Sequence, residues 1–327
     1  MLRKRPGRKV SPWSLFAYVK RKGIFMNRVK KMIHMDHAYK LGLNGKNVTI
    51  VVMDTGIAAH PDFDARILAF VDLCNGKVGL YDDNGHGTHV SGIIAGSGTL
   101  SKDKNGVCVY SGIAPQANII MLKVLDEKGN GNTEKVLLGI DWVLKNREKY
   151  NIRLLNISVG MLPSAGHKEQ EQLLDAVDDV WDHGIMVVAA AGNNGPKENS
   201  VTIPGISRKI LTVGSCDDVQ MDNSVKGLKN GYSSNGPTDC CIVKPEILAP
   251  GTKITSCNGD GKGYQIKSGT SMAAPVVTGA LALVYQRYPY FSPAEMKLRL
   301  YERAYPRGEQ LGKKCWGVIH VDNLIRG

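Results

Sequence analysis

The chain has 327 residues, of which 43% are hydrophobic and 22% are charged, a balance typical of globular proteins. Its formal net charge is +12, but residues 1–40 hold 12 Lys and Arg side chains against one acidic residue, Asp36, and the rest is almost neutral. A polynucleotide enzyme would carry basic residues along its binding cleft, so this distribution argues against a nucleic-acid partner. We therefore expect a basic N-terminal arm over residues 1–40 and one globular domain over residues 41–327.

The arm does not look like a secretory signal. Its apolar stretch, Trp13–Val19, is short and leads into three basic residues without a small-residue cleavage site. No segment approaches the run of about 18 apolar residues that a membrane-spanning helix needs. The seven cysteines are odd in number and lack CxxC spacing, which favours free thiols in a reducing compartment. The sequence thus predicts a cytoplasmic protein, with Met26 as an alternative start that would remove the most basic part of the arm.

From residue 41 onward, near-continuous apolar runs rich in β-branched residues alternate with helical patterns. Such runs are typical of strands covered on both faces, and the alternation predicts a parallel sheet with helices on both sides. The predicted strands are Val48–Met53, Asn118–Val124, Leu154–Val159, Ile185–Ala190 and Ile210–Val213. The predicted helices are Thr133–Asn146, Glu169–His183, Val276–Tyr285 and Glu295–Tyr301. A capping box formed by Ser292 and Glu295 marks the start of the last helix, and the predicted fold class is three-layer α/β.

Asp54 ends the first predicted strand and is followed by Thr55 and Gly56, where the chain can turn away. In open parallel sheets, ligands bind outside the carboxyl ends of the strands, so Asp54 is a candidate site residue. Taken alone, it is equally consistent with a helix cap or a turn residue.

His86 lies between two glycines in the segment 84–92, NGHGTHVSG, which leads into an apolar run. The glycines allow a close backbone approach at the start of a helix. His86 and His89 also match the H-x-x-H spacing of a zinc pair. However, a zinc site needs a third protein ligand, and the sequence has no H-E-x-x-H motif.

Ser271 lies in the segment 268–275, SGTSMAAP, at the start of an apolar helical pattern. A serine at a helix N-terminus is ordinarily a cap. Here small neighbours leave its hydroxyl unobstructed, and the amides at the helix start can stabilise a nearby negative charge.

Together, the three motifs and the order Asp54, His86, Ser271 resemble the subtilisin family of serine proteases. The resemblance covers roughly residues 40–325 and is strongest to the intracellular bacterial branch. It implies a subtilisin-like fold and a serine endopeptidase that acts on polypeptides through an acyl-enzyme. Ser271 would be the nucleophile, His86 the general base and then acid, and Asp54 the residue that orients His86. Asn193, in the segment VAAAGNNG at 188–195, matches the family's oxyanion donor, with the amide of Ser271 as the second donor.

The resemblance also implies that substrate binds as an added β-strand between two segments of a cleft. One wall would hold Ser158, Val159 and Gly160, and the other Gly129 and Gly131. The residues expected to line the primary pocket are Ser158, Gly160, Ala190, Ala191 and Gly192, with Asn194 at the rim. These uncharged residues predict a wide pocket and a broad, hydrophobic-leaning specificity.

No cofactor is needed for this chemistry, but the resemblance raises the hypothesis of a structural calcium ion. Asp62 matches a family calcium ligand, and Asp103 and Asn105 in the loop 97–111 offer further oxygens. That loop is altered and longer than in the family, and solvated acidic residues are the simpler interpretation. Pro204 matches a position where the family often has a cis peptide bond.

Two questions stay open at this stage. A protein of this fold that only binds peptides would usually lack a triad or oxyanion residue, and all four residues are present here. The arm is too short for the family's usual inhibitory pro-segment. It is a solvated charge run, it binds an anionic surface, or it lies in the protein's own cleft until it is removed.

Overall fold

The computed structural model describes residues 25–160, 167–218, 228–236, 243–306 and 314–327. Within these ranges, eight parallel strands form one sheet in the order β10-β7-β6-β5-β4-β1-β3-β2, and two further strands form an antiparallel hairpin. The sheet strands are β1 (Thr49–Asp54), β2 (Ile67–Asp72), β3 (Asn118–Lys123), β4 (Ile152–Ile157), β5 (Met186–Ala190), β6 (Leu211–Ser215), β7 (Ile247–Ala249) and β10 (Gly317–Val318). The hairpin strands are β8 (Ile254–Cys257) and β9 (Tyr264–Lys267).

Helices cover both faces of the sheet, and short 3-10 helices lie at Asp64–Arg66 and Thr99–Ser101. The α-helices are α1 (Phe25–Met32), α2 (Asp36–Lys40), α3 (His86–Ala95), α4 (Thr133–Asn146), α5 (His167–Asp182), α6 (Thr270–Arg287), α7 (Pro293–Arg303) and α8 (Val321–Ile325). None of the helices in the described ranges is both long enough and apolar enough to cross a membrane.

The sheet separates two apolar cores because alternate residues of each strand point to opposite faces. In β1, Val52 packs in the core that contains α3 and α6, whereas Val51 packs in the core that contains α4 and α5. Leu154 and Leu155 divide in the same way in β4. The helix α6 is almost entirely buried, as expected for a helix that is apolar on all sides.

The predicted fold class is confirmed: the sheet is parallel and has helices on both faces. The five predicted strands and four predicted helices are all present, with ends shifted by a few residues. Ser292 caps α7 as predicted, since its side chain accepts from the amide of Glu295 while its own amide donates to the Glu295 carboxylate. The bond between Ile203 and Pro204 is cis.

Part of the segment 1–40, which the sequence assigns to a basic arm, packs into the main core. α1 and α2 fall within the segment that the sequence assigns to the arm, yet Val29, Ile33 and Ala38 are fully buried in the main core. Ile33 directly follows α1, and its amide donates to the carbonyl oxygen of Val29 at 3.0 Å, so the two side chains lie on the same side of the chain. The high charge of the segment hid this apolar face, because Lys31 and Lys40 remain exposed on the outer side.

Candidate active site

Asp54 and His86 form the central pair of the site. Asp54 ends β1 with its side chain fully buried, and its Oδ1 lies 2.7 Å from Nδ1 of His86, whose side chain is 23% exposed. The Asp54 carboxylate fixes the ring so that Nδ1 donates and Nε2 is left as the basic nitrogen. Burial lowers the pKa of His86, but the charge of Asp54 and its hydrogen bond outweigh that effect and raise the pKa above its ordinary value.

Two glycines bring His86 against Asp54. Gly85 has a φ of 83° and ends the loop before α3, a conformation that glycine adopts without strain. A Cβ at Gly87 would lie 2.2 Å from the carbonyl oxygen of Gly56 and 3.0 Å from Cβ of Asp54. Only a residue without a side chain therefore lets α3 approach β1 this closely.

Asp82 holds the start of α3 and was missed by sequence reasoning. Its Oδ1 accepts from the Gly85 amide and the Thr55 hydroxyl at 2.8 Å each, and its Oδ2 accepts from the amide of Thr88 at 2.8 Å. Burial raises the pKa of Asp82, but these hydrogen bonds outweigh it and lower the pKa below the ordinary value. Asp82 thus caps the helix that carries His86. Asp82 lies three residues before the N-cap, Gly85, so the usual N-cap pattern does not identify it in the sequence.

His89 takes no part in a zinc pair. The side chain is fully buried, and its Nε2 lies 3.1 Å and 3.2 Å from the carbonyl oxygens of Ile254 and Gln265. Burial lowers the pKa of His89 to about 3, so the ring is neutral and its Nε2–H donates to the hairpin β8–β9. Its partner in the H-x-x-H spacing, His86, is bonded to Asp54.

Ser271 is the second residue of α6. Its hydroxyl donates to the carbonyl oxygen of Ser158 at 2.8 Å and makes no hydrogen bond to His86 within the described residues. Ser158 follows β4, the sheet neighbour of β1, so Ser271 lies at the same carboxyl edge as Asp54. The helices α3 and α6, which begin at or next to His86 and Ser271, pack against each other.

Asn193 is oriented by the residue that precedes Ser271. The amide and hydroxyl of Thr270 donate to Asn193 Oδ1 at 3.0 Å and 3.2 Å. Because a backbone amide can only donate, the oxygen of the Asn193 side chain must face Thr270 and the Nδ2 donors face outward. The Asn193 side chain is exposed, and its Nδ2 lies beside Gly269, two residues before Ser271. A negative charge beside Ser271 would meet both this side-chain amide and the backbone amide of Ser271 at the start of α6.

The residues predicted for the primary pocket meet around one residue that sequence reasoning missed, Thr202. A Cβ at Gly160 would lie 2.1 Å from Thr202 Oγ1, and a Cβ at Gly192 would lie 2.7 Å from Thr202 Cγ2. The amide of Thr202 donates to the carbonyl oxygen of Ala191 at 2.9 Å, which fixes Thr202 between the two segments. Its side chain therefore limits the depth of the space between Gly160 and Gly192.

The remaining predicted pocket residues take different positions. Ala190 and Ala191 are buried, and Ser158 is 2% exposed, with its Oγ accepting from the side chain of Asn156 at 2.8 Å. Asn194 is exposed, consistent with a place at the rim, and its amide donates to the hydroxyl of Ser234.

A cavity of about 210 Å³ is lined by residues of both predicted walls of the cleft. The predicted substrate-binding residues that line it are Gly129, Gly131, Val159 and Gly160. Leu125, Val136, Leu173 and Ile203 supply an apolar surface to the same cavity. It has the size and lining to take an apolar side chain of an extended peptide.

The residues proposed for calcium do not fit that ion. Both oxygens of Asp62 already accept hydrogen bonds, Oδ1 from the amide of Leu100 at 3.2 Å and Oδ2 from the hydroxyl of Tyr264 at 2.9 Å. Asp103 and Asn105 are exposed and bond to each other instead, since Asp103 Oδ1 accepts from the Asn105 amide at 2.8 Å.

The groups that do gather around Asp62 are poor calcium ligands. The candidate ligand atoms of His60, Asp62 and Cys257 lie within 4.8 Å of one another, but calcium prefers oxygen to nitrogen and sulfur. His60 is fully engaged, since Nδ1 accepts from the Asp62 amide at 3.1 Å and Nε2 lies 2.9 Å from the carbonyl oxygen of Gly263. Burial and the nearby Asp62 raise the pKa of the Cys257 thiol well above its ordinary value. We interpret the cluster as a closed hydrogen-bond network.

A parallel α/β sheet with an acid, a histidine and a serine at one carboxyl edge is the arrangement of a serine hydrolase. The sequence model of the subtilase family matches residues 45–318, and the chain belongs to that family. Serine protease AprX of Bacillus subtilis (strain 168) is 39% identical over 272 residues, which cover 78% of this chain and 60% of that protein.

Two further comparisons cover most of both chains. Subtilisin DY of Bacillus licheniformis is 32% identical over 295 residues, which cover 89% of this chain and 95% of that protein. The crystal structure of a cold-adapted subtilisin-like serine proteinase superposes with a TM-score of 0.67 at 30% identity, covering 85% of this chain and 90% of that one.

Proposed function

We propose that this chain is a serine endopeptidase that hydrolyses peptide bonds in proteins through an acyl-enzyme on Ser271. The observation that carries the proposal is the 2.7 Å contact between Asp54 and His86 at the same sheet edge as Ser271. Subtilase chemistry needs no cofactor. Because AprX is covered only to 60% of its length, the activity of the whole protein is inferred from these residues as well as from family membership.

The reaction begins when the Ser271 hydroxyl turns from Ser158 toward His86. Nε2 of His86 takes the hydroxyl proton as the serine oxygen attacks the peptide carbonyl carbon, and Asp54 stabilises the imidazolium that forms. The negative oxygen of the tetrahedral intermediate receives hydrogen bonds from Asn193 Nδ2 and the Ser271 amide. A single such donor lowers the barrier by about 3–4 kcal/mol.

The intermediate then collapses, and His86 gives its proton to the departing amine, which leaves an ester between Ser271 and the acyl part of the substrate. A water molecule that loses a proton to His86 attacks the carbonyl carbon of this ester. The bond to Ser271 then breaks, His86 returns the proton to the Ser271 oxygen, and the acyl part leaves as a carboxylic acid. Each step uses the same two oxyanion donors, so loss of Asn193 slows both halves of the reaction.

We propose that the substrate lies extended between residues 129–131 and 158–160. Backbone groups of the two segments would pair with it as neighbouring strands. The residues predicted to line the primary pocket are all uncharged (Ser158, Gly160, Ala190, Ala191 and Gly192), which supports a preference for uncharged side chains. Thr202 limits the length of the side chains that can enter. We therefore expect the enzyme to accept a narrower range of side chains than the wide pocket predicted from the sequence would allow.

The test is hydrolysis of casein by the wild type, Ser271→Ala and a control, Ser97→Ala. Ser97 lies in the loop 97–111 and its hydroxyl bonds to Thr99. We expect cleavage by the wild type and the control, and a loss of roughly four to six orders of magnitude in turnover for Ser271→Ala. Equal cleavage by all three proteins would show that the activity does not depend on Ser271. No cleavage by any of them would favour a protein of this fold that binds peptides without cleaving them.

We further propose that residues 1–24 form a basic arm distinct from a catalytic domain that begins with α1. Their eight Lys and Arg residues and absence of acids support this division. Comparison of the full chain with a protein starting at Met26 tests its role. Higher activity without the arm indicates that it blocks the cleft, whereas loss of salt-sensitive binding to anionic vesicles indicates that it binds an anionic surface.

We propose a reducing, cytoplasmic location on the basis of the cysteines. Five of the seven lie in the described ranges, and among them Cys74, Cys108 and Cys257 have free thiols. Exposed or partly exposed thiols persist where glutathione and thioredoxin keep them reduced. Thiol titration of protein taken directly from its native source tests this, since paired or oxidised cysteines would contradict it.

A further inference from the structure

The N-terminal helix α1 is joined to the body of the protein by a buried ion pair. Arg28 Nη2 lies 3.0 Å from Asp217 Oδ2 and donates a hydrogen bond to the carbonyl oxygen of Thr252 at 2.6 Å. The two charged side chains are only 16% and 2% exposed. If either partner is lost, the charge of the other stays buried without compensation. This cost favours the one conformation in which Arg28 and Asp217 are in contact.

Asp217 in turn fixes the loop that follows β7. Its Oδ1 accepts from the amides of Gly251 and Thr252 at 2.8 Å and 3.0 Å, and its carbonyl oxygen accepts from the Thr252 hydroxyl at 3.0 Å. Arg28 and Asp217 therefore bond both to each other and to the same two-residue loop.

That loop contacts the segment just before Ser271. The carbonyl oxygen of Gly251 accepts from the amide of Gly269 at 2.9 Å. A Cβ at Gly251 would lie 2.7 Å from the carbonyl oxygen of Gly269 and 3.2 Å from Cβ of Ala273. There is no free space between the loop and the start of α6, so a shift of the loop must be passed on to that helix.

Gly269 is the point at which both oxyanion donors meet. It has a φ of 148°, and a Cβ there would lie 3.2 Å from Asn193 Nδ2. The next residue, Thr270, donates to Asn193 Oδ1 and precedes Ser271. A displacement of Gly269 would therefore move the Ser271 amide and hydroxyl and the Asn193 side chain together.

We propose that Arg28 is a positioning residue for the reaction, acting through Asp217 and the loop 251–252 on Gly269 and so on Ser271 and Asn193. This inference rests on the proposed function. Arg28 does not contact the proposed peptide-binding segments, so it governs the chemical step and leaves substrate binding unchanged. A chain that starts at Met26 keeps this residue, whereas one that starts at Lys31 loses it together with six of the eight residues of α1.

The experiment compares wild type with Arg28→Met, Arg28→Lys and the matched control Lys31→Met, a neighbouring exposed cation on α1. The rate constant for labelling by a fluorophosphonate probe, and kcat and KM for a peptide, are measured well below the melting temperature of every variant. We expect Arg28→Met to lower both the labelling rate and kcat about tenfold with KM unchanged, as expected for a displacement of less than 1 Å. Arg28→Lys should recover part of the loss, and Lys31→Met should match the wild type.

The same measurements include a coupling test with Asp217→Asn. If the two residues act through one loop, the double variant with Arg28→Met is no slower than the slower single variant. A lower melting temperature with labelling at the wild-type rate would show that α1 only stabilises the fold, and would overturn the inference. Absence of labelling in the wild type itself would instead overturn the proposed function and the inference with it.

Discussion

Replacing Gly87 by alanine should impair catalysis strongly while leaving the fold intact. Alanine is the better helix former by about 1 kcal/mol, so helix propensity alone predicts a neutral or stabilising change. The structure predicts the opposite effect on activity. The new Cβ would lie 2.2 Å from the carbonyl oxygen of Gly56 and 3.0 Å from Cβ of Asp54.

The size of the effect follows from those distances. An ordinary contact between a methyl carbon and a carbonyl oxygen is about 3.2 Å or longer, so the start of α3 must retreat from β1 by about 1 Å. That movement carries His86 away from Asp54. The present distance between His86 Nδ1 and Asp54 Oδ1 is 2.7 Å. A misplacement of about 1 Å at a reacting group costs on the order of 100-fold in rate.

The assay is kcat/KM on a fluorogenic peptide, with circular dichroism to confirm folding. Gly263→Ala is the matched control, because its Cβ would meet nothing within 4 Å and its φ is ordinary. We expect a loss of about 100-fold for Gly87→Ala and a change of less than about twofold for the control. A folded Gly87→Ala protein with activity close to that of the wild type would refute the packing argument.

Three further predictions concern specificity, pH and metal. Thr202→Ala removes most of the side chain between Gly160 and Gly192. The ratio of kcat/KM for a peptide with Phe before the cleaved bond to kcat/KM for the same peptide with Ala there should therefore rise about tenfold. An unchanged ratio in paired peptide assays would show that Thr202 does not limit the pocket. His86 must be neutral to act as a base and its pKa is raised, so kcat/KM should increase with pH through a midpoint above the ordinary histidine value. A midpoint at or below that value in the pH profile would contradict the role of Asp54. Since the Asp62 cluster does not suit calcium, EDTA should change the melting temperature by less than about 1 °C. A large fall that added calcium reverses would show that the ion binds.

The sequence predicts the fold best where a single element carries its own signal. The helix α4 has the predicted bounds, because Asn132 caps its first turn and the apolar positions recur at helical spacing. The strand β1 is buried along its whole length and reads as one apolar run. By contrast, β2 is largely half-exposed at the edge of the sheet, and β10 has two residues, so neither produces a clear pattern.

The candidate site divides in the same way. Asp54, His86 and Ser271 lie in short local motifs, so the amino-acid sequence is enough to name them as candidates. Asp82 and Thr202 carry no such motif, because their roles depend on contacts made only in the folded chain. Thr202 meets a glycine 42 residues earlier in the sequence, and that contact follows from the packing of the sheet edge.

Labelling of Ser271 tests the central claim most directly. The wild type is treated with a fluorophosphonate probe, digested and analysed by mass spectrometry, with Ser271→Ala treated in parallel. The account predicts one phosphonyl adduct in the wild type, on the peptide that contains Ser271, and none in the variant. The claim would be contradicted if the wild-type sequence without its basic arm stayed unlabelled. An adduct on a different serine would contradict it as well.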